Sequence, residues 1–147
     1  MGLPKETRAA PIHRAAAPPL WCRPPATAFM LDEAIRRTNT ILYCRHWLPT
    51  VVFYRDVLKL AVNHETNWMV EFRLSDKSYL SIADKKRATV GCANGKGITL
   101  SFQIHDVEGI KSRLKRRGIE TSDTRLVWGA QAFYIHDPEG HRIELWA

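Results

Sequence analysis

The order of strand and helix signals occurs twice in this sequence, and this duplication constrains the fold more than any other feature. Residues 38–84 predict a strand, a helix at 48–58 and three further strands. Residues 97–147 repeat that order, with a helix capped by Asp106 and a strand near residues 120–128. A unit of about 50 residues cannot bury one face of its sheet alone. We therefore predict an α+β fold in which two tandem βαβββ modules form a curved eight-stranded mixed sheet around a concave pocket, with the helices on the outer side.

The first strand of the second module indicates which face of its sheet is apolar. Its apolar residues at 98, 100, 102 and 104 alternate with polar ones, as in a half-buried strand. We expect the apolar face to contact the helix and the polar face to line the pocket. The same alternation, applied to the first and last strands of both modules, gives the candidate ligand-binding residues: Asn39, Tyr43, Tyr79, Ser81, Thr99, Ser101, Gln103, Arg142, Glu144 and Trp146.

Glu144 is the most unusual of these residues. It lies between Ile143 and Leu145 in the last predicted strand, where a carboxylate must reach a polar cavity or solvent. It could serve as a catalytic general base or contact a ligand, or it could pair with Arg142 on the same strand face. The residue pattern leaves these alternatives open.

The last two strands are predicted to form a hairpin around the turn at residues 137–140. Proline presets φ in this turn and Gly140 accepts a positive φ. His136 and His141 flank the turn. If they pair across the hairpin they could form an adventitious surface metal site, but we interpret them as two exposed turn histidines.

Charge and composition argue against several partners. Residues 1–29 hold four basic residues and one acidic residue, and residues 30–147 hold 18 and 14. The basic runs lack the interleaved aromatic residues of a nucleic-acid surface, so we expect no nucleic-acid partner. No apolar run approaches the roughly 20 residues that span a bilayer, so we expect no membrane partner.

The cysteines point to a reducing, cytoplasmic setting. Cys22, Cys44 and Cys92 are odd in number, far apart and without a CxxC pair. This spacing predicts neither a disulfide framework nor a zinc site.

Residues 1–29 differ in composition from the rest of the chain. They hold six of the eight prolines, many alanines and no apolar periodicity, so they cannot bury enough surface to offset chain entropy. We expect a disordered tail, with Met30 as an alternative start. Residues 30–147 then form a single domain with modules at 38–84 and 97–147.

Two motifs connect this pattern to a known family. Residues 53–58, Phe-Tyr-Arg-Asp-Val-Leu, are similar to the helix motif FYxxxLG of the vicinal oxygen chelate superfamily. Residues 137–145, Asp-Pro-Glu-Gly-His-Arg-Ile-Glu-Leu, resemble its closing motif DPxGxxxEL. The superfamily includes glyoxalase I, bleomycin-resistance proteins and extradiol dioxygenases. The resemblance covers residues 38–147, and it implies the paired-module fold and a homodimer.

The resemblance also implies four metal-ligand positions, on the first and last strands of each module. In this sequence they hold Asn39, Ser81, Gly97 and Glu144. Only Glu144 is a typical ligand, whereas a catalytic divalent metal needs about three imidazole or carboxylate ligands. We therefore expect no metal cofactor and disfavour a divalent metal at Glu144.

Two functions remain open, and the sequence leaves undecided whether the protein is an enzyme. The first is metal-free binding of a small neutral or anionic molecule, aromatic ones included, because the domain is basic overall. The second is an enzyme: a metal-dependent lyase or dioxygenase that uses Glu144 with ligands from outside the family positions, or a metal-free enzyme with Glu144 as general base.

Overall fold

The computed structural model describes residues 31–147, and the expectations for residues 1–29 lie outside this part of the chain. Ile35–Ala147 form one compact unit, while the short helix α1 (Leu31–Ala34) belongs to a separate one. None of the helices in the described part is long and apolar enough to cross a membrane.

The first module has the predicted order of strand, helix and three strands. Its helix α2 (Trp47–Val52) continues into a π-helical stretch, Phe53–Val57, so the two segments together fill the predicted helix at 48–58. Pro49 lies in the first turn, where its missing N–H has no helical partner to lose. The strands are β1 (Thr38–Cys44), β2 (Ala61–Glu65), β3 (Met69–Arg73) and β4 (Ser78–Asp84).

The second module repeats this order around helix α3 (Val107–Arg116). Asp106 caps the helix by accepting a hydrogen bond from the Gly109 N–H at 2.9 Å, as its position predicts. The strand predicted near residues 120–128 is shorter, because the Ser122 hydroxyl accepts the Tyr134 N–H at 2.8 Å where a regular ladder would use a carbonyl. The strands are β5 (Thr99–Gln103), β6 (Arg125–Val127), β7 (Ala130–His136) and β8 (Arg142–Trp146).

The eight strands form two four-stranded sheets with the same topology. The strand orders are β1-β4-β3-β2 and β5-β8-β7-β6. In each sheet the first and last strands of the module pair in parallel and the other neighbours are antiparallel. This identical topology confirms the duplication. It also leaves β1 and β5 at the edges of their sheets.

Alternate residues of these strands form a core that both modules share. Leu42, Phe72 and Ile82 point from the first sheet into the same apolar cluster as Phe133 and Ile143 from the second. All five are at most 1% exposed. Their burial accounts for the pairing of two modules that each have one apolar sheet face.

A buried carboxylate joins the modules outside this apolar core. Tyr54, from the π-helical stretch, donates to Asp137 Oδ2 at 2.9 Å. Burial and the neighbouring Asp137 carboxylate raise the pKa of Tyr54 well above its usual value, so the phenol stays protonated and donates.

Asp137 also bonds the ring of His141 at 2.9 Å. His141 is only 2% exposed, so its interpretation as an exposed turn histidine is wrong. His136 is exposed and pairs with Arg142 instead.

Glu139 makes a second link between the modules. Its Oε2 accepts the His46 N–H at 2.8 Å, at the start of α2, and its Oε1 accepts the Cys92 thiol at 3.1 Å. Burial opposes ionisation of this carboxyl, but backbone N–H groups of His46 and Arg45 outweigh burial and lower its pKa.

Replacing Tyr54 by Phe should lower the free energy of unfolding by about 1–3 kcal/mol, because Asp137 loses a buried donor while the apolar ring is retained. Urea denaturation at pH 7 measures the change. Tyr134→Phe is the matched control, since no hydrogen bond of its hydroxyl is found among the described residues. Equal losses in the two variants would contradict a specific role for the Tyr54–Asp137 bond.

The Glu139→Gln variant should be less stable than the wild type at pH 7, and the difference should shrink in acid. The pKa of Glu139 is lower in the folded chain than its ordinary value of 4.5. The ionised carboxylate therefore contributes stability above that value, and the contribution is lost as the pH falls through the folded pKa. Urea denaturation at pH 7, 5, 4 and 3 tests this. A difference that does not depend on pH, or one equal to that of the exposed control Glu120→Gln, would contradict the prediction.

Candidate functional site

The face of the first sheet opposite the shared core, called its concave face below, carries a polar cluster. This Glu71 cluster is formed by Arg37, Asn39, Asn63, Glu71 and Ser81. Glu71 lies on β3, is 7% exposed and pairs across the ladder with Ser81. Its carboxylate accepts hydrogen bonds from Arg37, from Asn39 Nδ2 at 2.9 Å and from Asn63 Nδ2 at 2.6 Å. Asn39 and Ser81 also bond each other at 3.0–3.1 Å. The negative charge of Glu71 is thus balanced by Arg37 and stabilised by the two asparagine amides.

Sequence reasoning missed Glu71, although a signal was present. It lies between Val70 and Phe72 on a strand, which is the same setting that drew attention to Glu144. The expected register placed only first and last strands at the pocket, so a residue on β3 was not considered. Arg37 was missed as well, because it precedes β1; its guanidinium lies 3.9 Å from the centre of the Tyr79 ring.

The concave face of the second sheet is organised around Arg142. Its Nε donates to Thr99 Oγ1 at 2.9 Å, and its guanidinium lies 5.0 Å from the centre of the Tyr134 ring. Arg142 is exposed, as are Thr99 and its neighbour Ser101 on β5. A guanidinium positioned by a hydroxyl and an aromatic face remains able to pair with an anion from solvent.

Glu144 lies on the same face but makes different contacts from those of Arg142. It is half-buried and pairs in the ladders with Ser101 and Tyr134. Within residues 31–147 its carboxylate forms no hydrogen bond or ion pair. The alternative in which Arg142 neutralises Glu144 is therefore not realised, because Arg142 is held by Thr99 and Tyr134.

The predicted ligand-binding residues divide between the two sheets. Asn39, Tyr43, Tyr79 and Ser81 lie on the first sheet, and the remaining six lie on the second. Across the described chain, no hydrogen bond, ion pair or aromatic contact connects the two groups. Asn39 lies opposite Tyr79 in the pairing of β1 with β4, and Thr99 lies opposite Arg142 in the pairing of β5 with β8. Because Tyr79 and Arg142 occupy matching positions in the last strands of their modules, Asn39 and Thr99 are equivalent residues. Gly97 precedes β5 and has no ladder partner.

The residues at the family metal positions do not fit a catalytic divalent metal. Asn39 and Ser81 bond each other and Asn39 also bonds Glu71, so their oxygens face protein donors. In the part of the chain that the structure describes, no group of three or more His, Cys, Asp or Glu side chains is placed to hold a metal ion. A catalytic zinc or iron site needs about three such ligands.

A cleft of about 790 Å³ lies at the junction of the modules, and only three predicted residues reach it: Thr99, Ser101 and Gln103 of β5. Residues that follow α2 and one side of α3 also line the cleft, and none of them was predicted to form a site. The position of this cleft depends on how the modules pack, so strand periodicity alone did not predict it.

Comparison with known proteins agrees with this geometry. Residues 39–145 match the model of the Glyoxalase/Bleomycin resistance protein/Dioxygenase superfamily. A lactoylglutathione lyase from Agrobacterium tumefaciens is similar in structure, with a TM-score of 0.62 and 22% identity over 84% of this chain and 95% of the other.

Two further solved structures show the same fold. A glyoxalase/bleomycin resistance protein/dioxygenase from Nocardioides has a TM-score of 0.64 and 20% identity over 75% of this chain and 81% of the other. A glyoxalase family protein from Enterococcus faecalis has a TM-score of 0.61 and 22% identity over 80% and 100% of the respective chains. The comparison with curated proteins gave no match. The chain therefore belongs to the glyoxalase/bleomycin resistance protein/dioxygenase superfamily.

Proposed function

We propose that this protein binds a small neutral or anionic molecule on the concave side of its sheets without a catalytic metal ion. The observation that carries the proposal is the Glu71 cluster. A carboxylate with three protein donors, one of them cationic, has little free capacity for a metal. The polar groups at the first-sheet metal positions are likewise satisfied by one another.

The second sheet supports the choice of ligand class. Arg142 supplies an exposed positive charge, while Tyr134 and Trp146 are half-buried aromatic residues on the same face. A few convergent polar groups beside aromatic walls are typical of small-molecule sites. An aromatic carboxylate would place its charge at Arg142 and its ring against this surface.

We further propose that a second copy of the chain completes this site. Ile41 is 41% exposed on β1, and Asn39 on the same strand and Thr99 and Ser101 on β5 are also exposed. Both β1 and β5 are sheet edges with free backbone groups, and such edges favour pairing with another chain. A homodimer would cover these surfaces and bring two concave faces together.

The cysteines support a reducing, cytoplasmic setting for this activity. Cys44 and Cys92 are both free thiols in the described chain. Burial, followed by the nearby carboxylates of Glu139 and Asp137, raises the pKa of Cys44 far above its usual value, so the buried thiol stays protonated and unreactive.

Replacing Arg142 by Gln should weaken binding of aromatic carboxylates about tenfold, because a charge-assisted hydrogen bond is lost. The measurement is the ligand-dependent rise in melting temperature across benzoate, 4-hydroxybenzoate and cinnamate, with the corresponding alcohols as neutral probes. Arg116→Gln, an exposed substitution on α3, is the matched control. Equal shifts in wild type and Arg142→Gln would contradict the assignment of Arg142.

Protein purified without an affinity tag should contain less than stoichiometric Fe, Mn, Ni and Zn, and chelator treatment should leave ligand binding unchanged. Elemental analysis and repeated melting curves after dialysis against EDTA measure both. The competing function is a metal-dependent lyase or dioxygenase, and the free carboxylate of Glu144 is the observation that favours it. A stoichiometric metal that is lost in Glu144→Gln would establish that alternative and overturn the metal-free proposal.

A further inference from the structure

The cleft at the module junction has features of a second binding site, which shares only the β5 residues Thr99, Ser101 and Gln103 with the concave faces. Its walls come from the segment after α2, from α3 and from residues of β4 and β5. Its volume, about 790 Å³, lies within the range of small-molecule pockets.

The apolar wall of the cleft is almost entirely aliphatic. Leu58, Leu60 and Leu74 line it from the first module, and Ile104 and Ile110 line it from the second. All five pack against the shared core while remaining only partly buried. Phe102 contributes the single aromatic ring among the lining residues. A wall of this kind suits an aliphatic chain better than a stacked aromatic ring.

The charged residues of the cleft all carry the same sign. Lys59, Arg113 and Arg117 line it, and no aspartate or glutamate does. In the described chain none of the three belongs to an ion pair within 4.0 Å. Arg117 donates to the Val57 carbonyl oxygen, which keeps its guanidinium beside the cleft. The result is a local positive potential next to an aliphatic surface.

Lys59 has a backbone conformation that is unusual for its residue type. Its φ is 58°, in the left-handed region that disfavours a residue with a Cβ atom. A glycine would adopt this conformation more easily, yet the position holds a lysine that faces the cleft. The residue follows the C-cap Leu58 of the helical segment, where the chain turns with a left-handed residue.

We propose that this cleft binds an aliphatic carboxylate, with its chain against the leucine and isoleucine wall and its carboxylate at Lys59 and Arg113. The charge of the ligand follows from the three unpaired cations, and its aliphatic nature follows from the composition of the wall. Of the residues that form the concave faces, only the edge strand β5 reaches this site.

Calorimetric titration of the full-length protein with decanoate tests the proposal. Decyltrimethylammonium, which has the same chain and the opposite charge, is the matched probe. Decanoate should bind at least about tenfold more tightly, because only the anion can pair with Lys59 and Arg113. Equal affinity for the two amphiphiles, or no binding of decanoate, would overturn the proposal. The latter outcome includes a cleft that is covered by a second copy of the chain.

Substitutions then locate the bound carboxylate. Arg113→Gln and Lys59→Gly should each raise the dissociation constant of decanoate about threefold, and the double variant about tenfold. Glycine adopts the left-handed φ of position 59 without the steric cost of a Cβ atom, so Lys59→Gly removes the cation while the local backbone is retained. Arg116→Gln, on the same helix but outside the cleft, is the control and should bind as the wild type does. A loss of affinity in Arg142→Gln but not in Arg113→Gln would place the carboxylate on the concave face and overturn the proposal.

Discussion

The buried carboxylate of Asp137 is the interaction on which the arrangement of the two modules depends. Its Oδ1 accepts the N–H groups of Glu139 and His141 at 3.0 and 2.8 Å, which fixes the turn between β7 and β8. Its Oδ2 accepts the Tyr54 hydroxyl from the other module and contacts the His141 ring. A buried carboxylate without these donors would be very unfavourable. The turn and the helix of the first module must therefore keep one relative position.

The contact between the Asp137 turn and Tyr54 determines which surfaces remain available for binding. It holds the end of α2 against the last hairpin, and the shared apolar core continues from there. The free edges of β1 and β5 and the concave faces are not needed for this contact. Edge strands that are not covered tend to recruit a partner or a ligand. The exposed hydroxyl and amide groups of Thr99, Ser101 and Gln103 on β5 lie on such an edge.

Local structure could be predicted from the sequence more fully than the site. The pattern of β-branched, aromatic and alternating apolar residues located all eight strands, because such runs are typical of pleated, half-buried segments. It overestimated β6, where Ser122 replaces ladder contacts with a side-chain hydrogen bond. The Glu71 cluster and the cleft were beyond this reasoning. Glu71 needs donors from three separate segments, including Arg37 and Asn63, and the cleft needs the packing of two modules.

Glu71 and Glu144 show how two carboxylates in similar sequence settings acquire different chemistry. Each lies between apolar residues on a strand, and each points to a concave face. Glu71 has Arg37 and two asparagine amides as partners, so its charge is stabilised in place and its capacity for further bonds is largely used. Glu144 has no such partner within the described residues and lies beside an arginine that is held elsewhere. A carboxylate of this kind keeps its lone pairs for an incoming donor. The pair Arg142 and Glu144 thus offers a ligand one donor and one acceptor on the same strand face, which favours a molecule with both an anionic or carbonyl group and a hydroxyl.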